Sequence, residues 1–390
     1  MQIGAEPQQR GGLRARRAAA PILIACVASG LVVSALVGRR PHATAIDGPP
    51  PTIHPAPNSW IDVPDSACSV EFSPDGKLIA VGSVNLRPLY SRSNPGLSNP
   101  GYLSVFDGRT LKRLGSVQTP TGVGAIAISR DRRQALIPGG RLGPFSSYVV
   151  ALPSLRITRV GDHSPIVSLS GVSFEGDIAR AEWNEYAASR MAILGGTLPV
   201  SLDSSLTNPV GHTSALSTDN KLLAASDQYF VGGYGLPAGS SFIYVLDTRS
   251  GATISRIPAD LQANMAFVPS RSELVGCSQD TGIVSAWSYS DAQPLWSSSP
   301  ALGRFVSVAA SPIGSQVLAC SDAGFAVWDS GSGRLLEYAS YPSGYPQTIG
   351  YGGEWPQRAR YAPSGRQMLI CRDGGVAIFR SPADSKPSSK

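Results

Sequence analysis

Val70-Glu71-Phe72-Ser73-Pro74-Asp75-Gly76, followed by Lys77-Leu78-Ile79-Ala80-Val81-Gly82-Ser83, decides how this chain is read. An apolar run reaches a Ser-Pro-Asp-Gly cluster and then resumes as a second apolar run. Gly and Pro set the backbone angles of tight turns, and Ser and Asp side chains hydrogen-bond to the nearby backbone. The phrase therefore reads as strand, turn and strand.

The phrase returns along the chain. Ile126-Ala127-Ile128-Ser129-Arg130-Asp131 leads into Ala135-Leu136-Ile137, and Leu216-Ser217-Thr218-Asp219-Asn220 leads into Leu222-Leu223-Ala224-Ala225-Ser226. Phe267-Val268-Pro269-Ser270, Ala310-Ser311-Pro312-Ile313-Gly314 and Tyr361-Ala362-Pro363-Ser364-Gly365 each precede another apolar run. From Phe72 through Ile128, Leu216, Phe267, Ala310 and Tyr361 the spacings are 56, 88, 51, 43 and 51 residues. The 88 is twice 44, and Val172-Ser173-Phe174 before Glu175-Gly176-Asp177 stands where the missing unit belongs. A period of this size is the mark of a repeat architecture, in which each unit buries its faces on its neighbours.

A second phrase completes each unit. Leu103-Ser104-Val105-Phe106-Asp107 precedes Thr110-Leu111, Ile243-Tyr244-Val245-Leu246-Asp247 precedes Ser250-Gly251, and Phe325-Ala326-Val327-Trp328-Asp329 precedes Ser332-Gly333. With these residues the chain resembles the WD-repeat β-propeller family. Trp328-Asp329 matches the pair that names the family, and Gly211-His212 matches its Gly-His. The motifs are degraded elsewhere: Phe106, Leu246 and Phe379 stand in the Trp position, and most units lack Gly-His. The resemblance implies an all-β fold, a seven-bladed β-propeller over 59–380, with six blades and an irregular insertion at 160–210 as the alternative. It also implies structural roles for Trp328, Asp329 and His212, with Asp227 and Ser226 as partners of His212. The last unit stops after its third strand, Gly375-Val376-Ala377-Ile378-Phe379. Ser59-Trp60-Ile61-Asp62-Val63 is expected to supply the missing outer strand and latch the ring.

Composition agrees with many short strands. The 390 residues hold 42 Gly and 32 Pro, and 42% are apolar, enough for a core. The net charge of +6 does not come from the repeats. Residues 1–60 carry six Arg against two acids, residues 380–390 carry three bases against one acid, and 61–379 balance at 24 of each. A nucleic-acid partner, which needs a basic patch in the folded body, is not expected.

The N-terminus reads as a membrane address. Arg10, Arg14, Arg16 and Arg17 mark a basic stretch, 1–17, before an uncharged run over 18–38 that Arg39 and Arg40 close. As a helix at ~1.5 Å per residue this run spans roughly 32 Å, the thickness of a bilayer core. More Arg before the run than after it puts 1–17 in the cytoplasm and the repeats outside. A single-pass membrane protein is the first expectation. Cleavage near Ala45, after Ala43-Thr44-Ala45, would instead release a secreted form, and Leu23-Ile24-Ala25-Cys26 resembles a lipobox that would lipidate Cys26. Residues 39–58, with six Pro, read as a tether, and 381–390 as a disordered tail.

Chemistry is sparse by comparison. No paired-His, His-x-Glu or Cys-x-x-Cys spacing, P-loop or nucleophile elbow occurs, so no catalytic residue, metal site or cofactor is expected. A metal-dependent propeller hydrolase or lactonase is the enzymatic alternative, with only Glu71 and Glu182 on first strands to serve it. Cys68, Cys277, Cys320 and Cys371 read as small buried apolar side chains. The longest inserts, 84–100, 227–240 and 340–358, follow second strands or outer strands, and in a propeller these connections share one face. They carry Tyr90, Arg92, Tyr229, Phe230, Tyr234, Tyr345, Tyr351, Trp355 and Arg358. Aromatic residues and Arg are the types that dominate binding hot spots, so a protein- or peptide-binding scaffold is the expected function.

Overall fold

The computed structural model describes residues 59–84, 100–120, 122–129, 131–137, 146–162, 172–175, 177–180, 190–191, 200–201, 214–219, 221–227, 242–248, 250–260, 262–278, 281–299, 302–303, 305–321, 323–340 and 358–382. Strand and turn account for nearly all of them. The strands in chain order are β1 (Ser59–Phe72), β2 (Leu78–Val84), β3 (Gly101–Asp107) and β4 (Arg113–Thr119), then β5 (Ala127–Ile128), β6 (Gln134–Ile137), β7 (Ser146–Ala151) and β8 (Arg156–Asp162). Two short pairs follow, β9 (Val172–Glu175) with β10 (Asp177–Arg180), and β11 (Arg190–Met191) with β12 (Val200–Ser201). Next come β13 (Ser214–Leu216), β14 (Leu222–Asp227), β15 (Phe242–Asp247) and β16 (Thr253–Pro258), then β17 (Gln262–Val268), β18 (Glu273–Ser278), β19 (Val284–Ser288) and β20 (Gln293–Ser298). The chain ends with β21 (Phe305–Ala310), β22 (Gln316–Ser321), β23 (Gly324–Asp329), β24 (Leu335–Ser340), β25 (Ala359–Tyr361) and β26 (Gln367–Arg380).

These strands make antiparallel four-stranded meanders, the blades of a β-propeller. Among the described residues six are complete, I to VI in chain order: the second half of β1 with β2–β4, then β5–β8, β13–β16, β17–β20, β21–β24, and β25 with β26 and the first half of β1. One backbone bond marks every blade, from the residue after the third strand back to the residue before the second. It runs from Gly108 to Lys77, Leu152 to Arg133, Thr248 to Lys221, Tyr289 to Ser272, Ser330 to Ser315 and Ser381 to Arg366. The last of these shows that β26 folds back on itself and supplies two adjacent strands of blade VI.

The repeated turns follow from their side chains. Ser73 Oγ donates to Asp75 Oδ1 at 2.8 Å and accepts from Leu78 N at 2.9 Å. Ser129 with Asp131 and Ser217 with Asp219 repeat the arrangement at 2.7 Å. At the turns into three of the outer strands Asp107 accepts from Thr110 N and Oγ1, Asp247 from Ser250, and Asp329 from Ser332. Hydrogen bonds to Asp219 from Ser217 and to Asp329 from Ser332 hold both carboxyls below the usual carboxylate range.

Blades are apolar on both faces, as near-continuous apolar strands require. In β22, Val317 and Ala319 pack toward blade IV, while Leu318 and Cys320 pack toward blade VI. Trp328, fully buried, stacks on Trp296 of blade IV with centroids 6.4 Å apart and meets Phe305 edge-on at 5.7 Å. Similar layers lie between blades I and II, III and IV, V and VI, and VI and I.

The latch joins the two ends of the described chain. Ser59, Trp60, Ile61 and Asp62 pair with Ile378, Ala377, Val376 and Gly375, giving blade VI its outer strand. The same strand then crosses into blade I, so one unbroken segment ties the last blade to the first. Contacts run from β1 to β5, from β13 through β17, β21 and β25 back to β1, and β9 touches both β5 and β13. β9 and β10 pair antiparallel, with Glu175 opposite Asp177. Residues 1–58, which hold the basic stretch, the apolar run with Cys26 and the tether, lie outside the described residues, as does 383–390. Among the described residues no helix is long and apolar enough to cross a membrane.

Ile61 is 2% exposed between blades VI and I. Ile61→Ala is expected to cost about 2–5 kcal/mol of stability. Ile254→Ala, at a half-exposed site, should stay within about 0.5 kcal/mol. Thermal or denaturant unfolding of the two variants checks both.

Candidate functional site

Strand direction gives the ring two different faces. The connections from second to third strand, and from outer strand to the next inner strand, open on one face; the tight turns described above lie on the other. The three long inserts leave the first face between Val84 and Gly101, Asp227 and Phe242, and Ser340 and Arg358. Tyr90, Arg92, Tyr229, Phe230, Tyr234, Tyr345, Tyr351, Trp355 and His212 lie outside the described residues. Asp227 is the last residue of β14, in register with Phe242.

Beside the second insert the structure brings together Phe242, Tyr244 and Arg256, of which only Tyr244 lies in a repeated phrase. The guanidinium of Arg256 lies 3.6 Å from the centroid of the Phe242 ring and 5.7 Å from that of Tyr244. The rings are 6.4 Å apart, and Tyr244 is directly opposite Arg256 in the β15–β16 register. A cation held over aromatic faces presents a flat charged surface, worth about 0.5–1 kcal/mol where exposed. The signal in the sequence was Phe242-x-Tyr244 on one side of a strand whose outer neighbour carries an Arg.

Arg358 proves to be less a loop residue than the head of an inner strand. Its carbonyl accepts from Cys371 N at 2.8 Å, and its side chain is half-buried, with its charge favouring the thiolates of Cys68 and Cys371. It stands three residues before Tyr361, as Ser69 does before Phe72, Asn264 before Phe267 and Ser307 before Ala310. Each of those three joins its blade to the next. Ser69 Oγ donates to Val123 O at 2.6 Å, Val308 N donates to Asn264 Oδ1 at 2.8 Å, and Ala359 N donates to Ser307 Oγ at 3.2 Å.

The inner ring is otherwise occupied by structural pairs. Glu71 Oε2 accepts from Arg360 Nε at 2.9 Å and ties blade VI to blade I, while Oε1 accepts from Phe72 N. Glu71 is thereby held as a blade-to-blade contact, and Glu182 lies outside the described residues. Among the described residues no three His, Cys, Asp or Glu side chains converge as metal ligands. Burial pushes the Cys68 thiol up to about 12 against the pull of Arg358, and its Sγ donates to Val123 O at 3.0 Å. Cys277, Cys320 and Cys371 are buried as well, with no disulfide among them, and burial raises the thiols of Cys277 and Cys371. High thiol pKa is the opposite of what a cysteine nucleophile needs.

Between blades IV and V the turn face is sealed by an indole. Trp296 is 6% exposed, its Nε1 donates to Ser330 O at 2.7 Å, and it lies over Gly333, whose φ is +68°. A Cβ on Gly333 would fall 2.5 Å from Trp296 Cγ. Asp329 sits in the turn that carries Ser330 and Gly333, below Trp328.

The sequence matches no protein-family model and no curated protein. The structure is similar to the β-propeller domain of Cps50 (Swd1) from Myceliophteria thermophila, with a TM-score of 0.56 and 14% identity, over 84% of this chain and 99% of that one. At this identity the likeness is one of fold. The chain has a WD-repeat-like β-propeller architecture, as the repeated phrases led us to expect.

One carboxylate in this framework is poorly placed for charge. Glu337 of β24 is 8% exposed at the blade V–VI interface, and burial raises its pKa; the Tyr361 hydroxyl opposite is buried without a hydrogen-bond partner. A folded-state pKa above the unfolded one favours the protonated form, so this side chain weakens the fold as pH rises through the carboxylate range. Glu337→Gln is expected to raise the unfolding midpoint at about pH 7–8 and to leave it unchanged near pH 3, below both carboxyl pKa values. Thermal melts across that range check it.

Proposed function

We propose that this chain is a seven-bladed propeller that holds a protein or peptide partner on its loop face and is tethered outside the cytoplasm. The observation that carries the binding role is geometric. All three long inserts, rich in Tyr, Trp and Arg, start and end at strand termini on one face of a closed ring. Separate stretches of sequence far apart in the chain thus supply one surface, with the Phe242–Arg256–Tyr244 stack beside the second insert. Rigid blades below variable loops are a common way to build a recognition surface. The fold alone is shared by proteins of many functions, so the argument rests on the loops and not on the architecture.

The seventh blade is argued from β9. It touches β5 of blade II and β13 of blade III, the position of an inner strand, and it lies 44 residues from its repeat neighbours on average. The tether is argued from the uncharged run at 18–38 between its flanking Arg residues, with release near Ala45 and lipidation of Cys26 as its rivals.

The test uses the full chain in membranes. Crosslinking followed by mass spectrometry is done with the native protein and with Tyr90, Tyr229, Tyr351 and Trp355 replaced by Ser. A partner joined to the native loops and lost from the variant is the expected result; equal capture by both overturns the binding face. Labelling of intact cells with a membrane-impermeant reagent should reach the tail at Lys386 and Lys390, and protection of both overturns the orientation.

A further inference from the structure

The turn face holds a second candidate site, at a position whose occupant differs from blade to blade: Gly115, Ser255, Trp296 and Glu337 each follow an outer-strand bulge. Four outer strands contain a one-residue bulge at the same place, Leu114, Ile254, Leu295 and Leu336. The residue just after the bulge points at the next blade: Trp296 in blade IV and Gly115 in blade I. Opposite it, in the next blade, is a left-handed residue whose N–H donates to the end of the third strand. In blade V that residue is Gly333, bonded to Asp329; in blade II it is Leu155, with φ +58° and bonded to Ala151.

Blades IV and V therefore use a large residue against glycine, and blades I and II use glycine against leucine. A Cβ on Gly115 would lie 2.5 Å from Leu155 Cδ1, so the two sites trade volume across the interface. Leucine does not replace an indole. Between blades I and II a cavity of about 230 Å³ remains, floored by Leu78, Val105, Leu114, Leu152, Pro153 and Leu155. Leu152 is the blade II counterpart of Ser330, whose carbonyl receives the Trp296 N–H: both follow a third strand and make the same backbone bond.

The rim of the cavity is basic. Arg132 and Arg133 line it together with Asp131, and Arg113 and Arg156 flank its lining residues in sequence. Three carboxylates stand nearby and keep their charge: Asp131 accepts from Ser129 Oγ and Arg133 N, Asp107 accepts from the Thr110 turn, and Asp75 pairs with Arg132 Nε at 3.4 Å. Arg133, Arg113 and Arg156 therefore carry the basic character of the rim. Because the folded body is neutral as a whole, this excess of Arg is local.

We propose that this cleft is a docking site for an acidic peptide that inserts one aromatic side chain, an indole above all, between blades I and II. The cavity takes the ring that Trp296 supplies from within the chain at the blade IV–V interface, and the Arg rim takes the flanking carboxylates. Burial of a ring in a preformed slot gives affinity, and the opposed charges give rate and selectivity. The site is on the face opposite the long inserts and is independent of what they bind.

The probe is the capped peptide Glu-Asp-Trp-Asp-Glu, with Glu-Asp-Ala-Asp-Glu as its control, titrated calorimetrically against the full chain in detergent. The Trp peptide is expected to bind at least about tenfold tighter than the Ala peptide, and more weakly as salt rises. The exchange Gly115→Trp with Leu155→Gly copies the IV–V interface into the cleft; it should weaken the Trp peptide by roughly tenfold or more while raising the unfolding midpoint. Leu114→Glu and Arg133→Glu, both at exposed positions, should each weaken it several-fold and decide the matter if the exchange variant does not fold. Equal affinity for the two peptides, undiminished binding by a folded exchange variant or by both charge variants, or no binding of the Trp peptide at millimolar concentration overturns the proposal. Self-association of the native chain that the exchange abolishes also overturns it, in favour of a second copy as the occupant.

Discussion

A sheet that curls into a ring must still bring its two ends together, and this chain does so with a single strand. β1 begins as the outer strand of the last blade and ends as the inner strand of the first. Without that crossing, the third strand of blade VI would present a row of unpaired N–H and C=O groups, and the VI–I apolar layer would lie open to water. The pairing of Ser59–Asp62 with Gly375–Ile378 meets both needs, and Glu71–Arg360 adds an ion pair at the inner rim of the same seam. With each side chain about a quarter exposed, that pair is worth about 1 kcal/mol or less, so the strand and the buried Ile61 carry most of the closure.

Once the ring closes, each blade has two jobs with different tolerance. The turns must reverse the chain in few residues, and for this Ser-x-Asp and Asp-x-x-Ser/Thr are reused almost unchanged. Contact between inner strands asks only for a group that can join neighbouring blades. Ser69, Asn264 and Ser307 meet that demand with different chemistry, as donor to a carbonyl or as acceptor from an amide.

This difference explains what could be read from the sequence. The turn residues recur in type, so the units, the strands beside them and the latch were all visible as repeated phrases. The inner-ring contacts recur in position but not in type, so Asn264 and Ser307 gave no pattern to find. Arg358 looked like the end of an aromatic loop because nothing in its own chemistry marks where an insert stops and a strand begins. The Phe242–Arg256–Tyr244 stack joins two strands through register, and register depends on which residue bulges. A bulge at Ile254 shifts every partner after it by one, a fact that becomes apparent only in the paired sheet.

Repetition also shows where the chain spends its freedom to vary. A propeller can change one interface without altering the others, because each blade touches only its neighbours. Between blades IV and V the position after the bulge is filled by Trp296, and the left-handed position opposite must then be glycine. Between blades I and II the same two positions hold Gly115 and Leu155, the left-handed angle is borne by a residue with a side chain, and space is left over. A non-glycine residue in that conformation costs about 1 kcal/mol, a cost that Leu111 in blade I and Ala292 in blade IV bear as well. What sets the I–II interface apart is the open cleft beside Gly115 and Leu155 with Arg132 and Arg133 on its lining, and that is the physical reason to look for a ligand there.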